Sequence, residues 1–138
     1  MGRIVEKVKV ANLFDEREAQ QGKIKAEGVR NLEVEVLIDT GATFLCLKKN
    51  LVEALGLVPL RQKTVKTSHG NVVRTIYSTV TIYLRDRFAH VDVTELPEDC
   101  PNLLGQVPLQ IMDFVVDMRN ERVIGNPEHG GEWMWEEY

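Results

Sequence analysis

Apolar residues recur at every second position through several stretches of this chain, the period of a strand with one buried face. Ile4, Val8 and Val10 interleave with Lys7 and Lys9, and Leu32, Val34, Val36 and Ile38 alternate with Glu33 and Glu35. In the second run Leu37 interrupts the polar side, so the strand is predicted to be buried on both faces where it ends, just before Asp39. Further on, Val72, Ile76, Val80, Ile82 and Leu84 form one face of a long strand, with Thr75, Tyr77, Thr79, Thr81 and Tyr83 on the other. Arg85-Asp86-Arg87 reads as its turn, and Ala89, Val91 and Val93, alternating with His90, Asp92 and Thr94, complete a hairpin. Phe44 to Leu47 is a short apolar run, and Phe114 to Val116 is predicted as the last strand before the tail. Helical signals are fewer. Asn50 to Leu55, closed by Gly56, predicts a short helix with Leu51, Ala54 and Leu55 on one face, and Pro108 opens another. Asp15 to Gly28 is polar without a period and reads as a loop or weak hairpin. The fold class is mainly β with one or two short helices.

With 138 residues and 43% hydrophobic content, the chain can fill one core, and it shows no linker or low-complexity block. A single domain over residues 1–138 is expected. The net charge of -4 is modest and the charges are interspersed, so no nucleic-acid partner is expected. No apolar stretch is long enough to cross a bilayer, and Met1-Gly2-Arg3-Ile4-Val5-Glu6-Lys7 lacks the apolar segment of a signal peptide. The expectation is a cytoplasmic protein without a membrane partner. Cys46 and Cys100 have no metal-ligand spacing, and His69, His90 and His129 are far apart, so neither a metal nor another cofactor is proposed. His90, Asp92 and Glu95 read as a solvated strand face.

Asp39 stands out because a carboxylate delivered into apolar surroundings is expensive without a partner. Asp39-Thr40-Gly41 is also good turn chemistry, and a tight Asx-type turn accounts for the tripeptide alone. Its setting adds more. Ala42 follows it, and an apolar pair closed by glycine, Leu103-Leu104-Gly105, comes later after a hairpin. This order of features over roughly residues 32–117 resembles the retropepsin branch of the aspartic proteases, the single-domain relatives of pepsin. The resemblance implies a closed β-barrel acting as a homodimer on an extended peptide or protein substrate. It casts Asp39 as the catalytic acid, Thr40 as a hydrogen-bonding partner of the other subunit's loop, and Gly41 as the point of close substrate approach. Leu104 and Gly105 would pack beneath the loop. Subsites lined by Ala42, Thr43, Phe44, Cys46 and a flap tip of Ser68, His69 and Gly70 imply an apolar preference on both sides of the cut.

Hydrolysis by this route needs two carboxylates that share one proton, and the chain has a single Asp-Thr-Gly. The second carboxylate is expected from Asp39 of a second copy on a two-fold axis, so a monomer should be inactive. The competing expectation is a retropepsin-like domain that dimerises or binds peptides without cutting them. An unrelated small β-barrel in which the tripeptide is only a turn is a third. Thr43 and Gln106 stand where retroviral enzymes usually carry an Asp and an Arg that pair as ions; here a hydrogen bond is expected instead. The flap tip, Thr67-Ser68-His69-Gly70-Asn71, has one glycine, and His69 reads either as a group over the carboxylates or as a solvated turn residue. The tail, residues 126–138, holds both tryptophans and is expected to pack on the core or the partner, or to lie in the cleft.

Overall fold

The period-two runs form strands because each buries one row of β-branched or leucine side chains against the others. The computed structural model describes residues 3–137. In chain order its elements are β1 (Val5–Asn12), α1 (Leu13–Gln20), β2 (Asn31–Ile38), β3 (Leu45–Lys48), α2 (Lys49–Ala54), β4 (Pro59–Thr67), β5 (Gly70–Leu84), β6 (Arg87–Leu96), β7 (Leu103–Leu104), α3 (Gln106–Ile111), β8 (Phe114–Asp117) and β9 (Arg122–Gly125). Seven strands form one sheet in the order β1-β2-β7-β3-β6-β5-β4, and β1 also pairs with β5. The short β7 runs parallel to β2 and antiparallel to β3, so a late segment separates two early strands. β8 and β9 make a separate two-stranded sheet. Val8, Val10, Val36, Leu45, Leu47, Val80, Ile82 and Leu109 are among the residues of the core cluster. Each such burial stabilises the fold by about 1.5–3 kcal/mol before entropy is counted.

Several expectations are corrected. The stretch read as a loop or weak hairpin begins with α1, making three α-helices rather than one or two among the described residues. α1 is held by polar contacts, which leave no apolar period. Asn12 caps it by accepting from the Asp15 N–H, the Asp15 carboxylate meets Arg30 Nε at 2.8 Å, and Glu16 accepts from the Thr81 and Tyr83 hydroxyls. On α2 it is Val52 that is buried, with Leu55 buried at the C-cap, while Ala54 is exposed. Phe114–Asp117 is not the last strand, because a turn through Glu121 (φ 51) brings β9 back onto it.

Two further corrections bear on the site. The register of β5 against β6 shifts between Tyr77 and Val80, so Tyr77 and Val80 both lie opposite core residues, Val93 and Val91. Ile76 and Val72 therefore face the other side of the sheet from Val80, Ile82 and Leu84. The end of β2 is not buried on both faces either. Leu37 and Ile38 are half-buried although β7 flanks both, and Leu37 lines an open groove of about 400 Å³ with Val5, Leu51 and Asn102.

Candidate active site

Asp39 follows β2 directly, and its backbone N–H donates to the Leu104 carbonyl at 3.0 Å, continuing the β2–β7 ladder by one bond. The chain then reverses. Ala42 N–H donates to the Asp39 carbonyl at 3.0 Å, and Gly41 N–H donates to Asp39 Oδ1 at 2.9 Å. The side-chain bond is the Asx-type turn anticipated from the tripeptide, and it orients the carboxylate with one oxygen braced. Asp39 remains half-exposed.

The far side of the loop is fastened to the segment after β7. Gly105 N–H donates to the Phe44 carbonyl at 2.7 Å, Gln106 N–H to Ala42 at 2.9 Å and Val107 N–H to Thr43 at 2.9 Å. These bonds satisfy three loop carbonyls with the free N–H groups at the start of α3. Gly105 permits the approach, since a Cβ there would sit 2.5 Å from the Phe44 oxygen and 2.6 Å from the Ala42 oxygen. Leu104 is fully buried beneath. Thus Asp39, Gly41, Ala42, Leu104 and Gly105 are brought together, and exposed Thr40 lines a groove of about 300 Å³ with Gln106, Phe114 and Val116.

The remaining predicted site residues divide. Phe44 is exposed, whereas Cys46 lies on β3 with its thiol half-buried. Burial, then the negative charge of Asp39, pushes that thiol up to about 11, with the Arg74 cation partly opposing the shift. A thiol held protonated in this way is a poor nucleophile. Ser68, His69 and Gly70 sit at the exposed tip of the β4–β5 hairpin, where Thr67 Oγ1 donates to the Gly70 carbonyl at 2.7 Å and Ser68 Oγ lies 3.2 Å from His69 Nδ1. The hydrogen bonds of His69 stay within the tip. The bond expected between the Thr43 and Gln106 side chains does not form among the described residues; backbone groups make the link instead. Arg74 was given no role by sequence patterning. Its signal is the run from Ala54 to Arg85, which contains no carboxylate.

The tail packs on its own chain, and its first residue, Asn126, lines the same groove as Thr40. Both indole N–H groups, of Trp133 and Trp135, donate to the Ile111 carbonyl at 3.1 and 2.6 Å, and Trp133 meets the Phe88 ring edge-on at 5.2 Å between centroids. Asp113 is the anchor: it accepts from Asn126 Nδ2, His129 Nδ1 and the Met134 N–H. Buried Arg87 donates to the carbonyls of Met112, Asp113 and Gly131, tying tail to hairpin.

Among the described residues no helix is long and apolar enough to cross a membrane. No curated protein matches the chain. A family model described as "gag-polyprotein putative aspartyl protease" matches residues 24–110, which spans β2, the Asp39 loop, the β4–β5 hairpin, β7 and most of α3. That match covers more than half of the chain, and with it the loop and ladder built above: the protein belongs to the gag-polyprotein aspartyl protease family, with a retropepsin-like aspartic protease domain.

Proposed function

We propose that the protein is an aspartic endopeptidase whose active site is built from two copies of Asp39, one from each subunit of a homodimer. The observation that carries this reading is the Asp39 loop itself: a half-exposed carboxylate braced by Gly41 N–H and held from behind by Leu104 to Val107. One carboxylate would take a proton from a water while the other donates to the scissile carbonyl oxygen, and the roles require the pair to share one proton. A single chain supplies one such loop. Thr40, Gly41 and Ala42 support Asp39, and Thr43, Phe44, Cys46 and the flap tip of Ser68, His69 and Gly70 line the substrate path. The double pairing of β1, with β2 and with β5, supports reading the sheet as a closed barrel in a single domain. The two free cysteines fit a reducing, cytoplasmic setting.

A peptide-binding or dimerisation domain that does not cut is the second reading, favoured by one observation. Thr43 and Gln106 make no side-chain bond with each other among the described residues, so backbone hydrogen bonds alone link the segments that an ion pair joins in retroviral enzymes. Cleavage of an unfolded protein or peptide library by wild type and Asp39→Asn, from acidic to neutral pH, separates the two. The enzyme reading expects a fall of about 10²–10⁴-fold or more in the variant. A folded, dimeric wild type that never cuts selects the second reading, and a strict monomer at high concentration that still cuts removes the shared site.

A further inference from the structure

The β4–β5 hairpin is charged unlike the rest of the molecule. Residues 59–84 hold four of the 17 Lys and Arg, at Arg61, Lys63, Lys66 and Arg74, and none of the 21 Asp and Glu. Directly opposed residues on neighbouring strands project to the same face. Lys63 lies opposite Arg74 and Arg61 opposite Ile76, so the three cations other than Lys66 share a face with Ile76. That face continues inward, because Ile76 lies opposite Thr94 on β6 and Thr94 opposite Cys46 on β3. Cys46 is the residue whose thiol feels the charges of both Asp39 and Arg74. The cationic face of the hairpin is therefore the one that continues to Cys46, beside the Asp39 loop.

Burial agrees with this orientation. Val65, Val72, Arg74 and Ile76 on this face are half-buried with Arg61 and Lys63 exposed at its margin, whereas on the opposite face Gln62, Thr64, Lys66, Asn71 and Val73 are exposed, Val73 by 60%, and only Thr75 is half-buried. Half-buried Arg74 makes no ion pair and no hydrogen bond with any described residue, and neither do Arg61 and Lys63. A guanidinium partly withdrawn from water with no carboxylate opposite it is an incomplete pair. On the endopeptidase reading above, what enters opposite it is the substrate.

We infer that Arg74, with Lys63 and Arg61 beside it, determines specificity by selecting peptide segments with an Asp or Glu side chain flanking the residues at the cut. The Ile76, Thr94 and Cys46 row forms the less polar floor nearest Asp39, and the cations lie further along the hairpin, so the acidic residue sits outside the apolar pair at the scissile bond. Arg presents a planar fork suited to a carboxylate, and the lysine adds a point charge.

The test is a cleavage profile of a peptide library, with the ratio of kcat/KM for matched peptides carrying Glu or Gln at the enriched position. Wild type is expected to favour Glu by about tenfold or more at low salt, less at high salt. Arg74→Gln should collapse that ratio, and Arg74→Glu should turn the preference toward Lys or Arg at the same position. Circular dichroism confirms that each variant is folded. A wild type with no acidic preference, or one whose preference survives both substitutions, overturns the inference while leaving the peptidase reading intact. If wild type cuts nothing, fluorescence polarisation with Asp39→Asn and the same labelled peptides decides instead. Tighter binding of the Glu peptide that depends on Arg74 upholds the specificity without the cleavage. Equal binding of Glu and Gln peptides, or tighter binding of single-stranded nucleic acid than of either, sinks it.

Discussion

No side chain larger than a hydrogen fits at Gly105, because the atoms a Cβ would strike are backbone atoms of the Ala42 to Phe44 loop. Backbone held at both ends cannot rotate away as a long side chain can. Gly105→Ala is therefore expected to destabilise the fold by about 1–3 kcal/mol, the usual scale of overpacking, and to push the Asp39 loop outward. Urea unfolding measures the first effect; a variant as stable as wild type would mean that the loop is loosely held. At this scale the sequence was most legible around Asp39. The tripeptide's turn chemistry and the later Leu-Leu-Gly marked the two halves of one contact, since each needs particular residue types locally. Arg87 and Asp113 were illegible for the opposite reason. A buried arginine that serves three distant carbonyls, and an aspartate at φ 57 that anchors a tail, depend on tertiary neighbours that no local spacing records.

At the scale of elements, the tail is latched to α3 and β8 through the pair His129–Asp113, 2.6 Å apart. The Asp113 hydrogen bond, then its charge and that of Glu136, raise His129 above its usual value despite burial. Burial pushes Asp113 up, but its bonds from His129, Asn126 and the Met134 N–H outweigh this and hold it low. A raised histidine contributes fully below its unfolded value and loses that contribution as pH rises through the folded one; a lowered aspartate contributes above its unfolded value and loses it in acid. The latch is thus strongest between about pH 4 and about pH 6.5. The stability difference between wild type and His129→Gln, from urea midpoints, should be larger at about pH 5 than at about pH 9. Equal differences at both would show that the charged pair contributes nothing. Elements organised by such polar contacts are the ones that patterning missed: α1 by capping and Glu16, β9 by a turn with positive φ. Those organised by a buried row, β2, β5 and β6, are found where the pattern puts them, although β6 starts at Arg87, read as turn, and runs to Leu96, and the bulge after Tyr77 reverses the faces of half of β5.

For the whole molecule, the proposed site makes activity a property of pairs. Mixing equal amounts of wild type and Asp39→Asn under conditions of subunit exchange should leave about one quarter of the pairs competent, against about one half of the activity if each chain acted alone. Measuring cleavage across mixing ratios tells a quadratic from a linear dependence. A further consequence follows from β7 lying between β2 and β3. The loop that carries Asp39 joins two strands with no ladder to each other, and the strand that bridges them is made some sixty residues later in synthesis. Pairing at such separation is slow, because loop closure precedes any gain from contact. A growing chain therefore has the local turn at Asp39 but none of the bonds that fasten its loop from behind until residues 103–107 leave the ribosome, so the order of synthesis delays the rigid form of this loop to the last stage of folding.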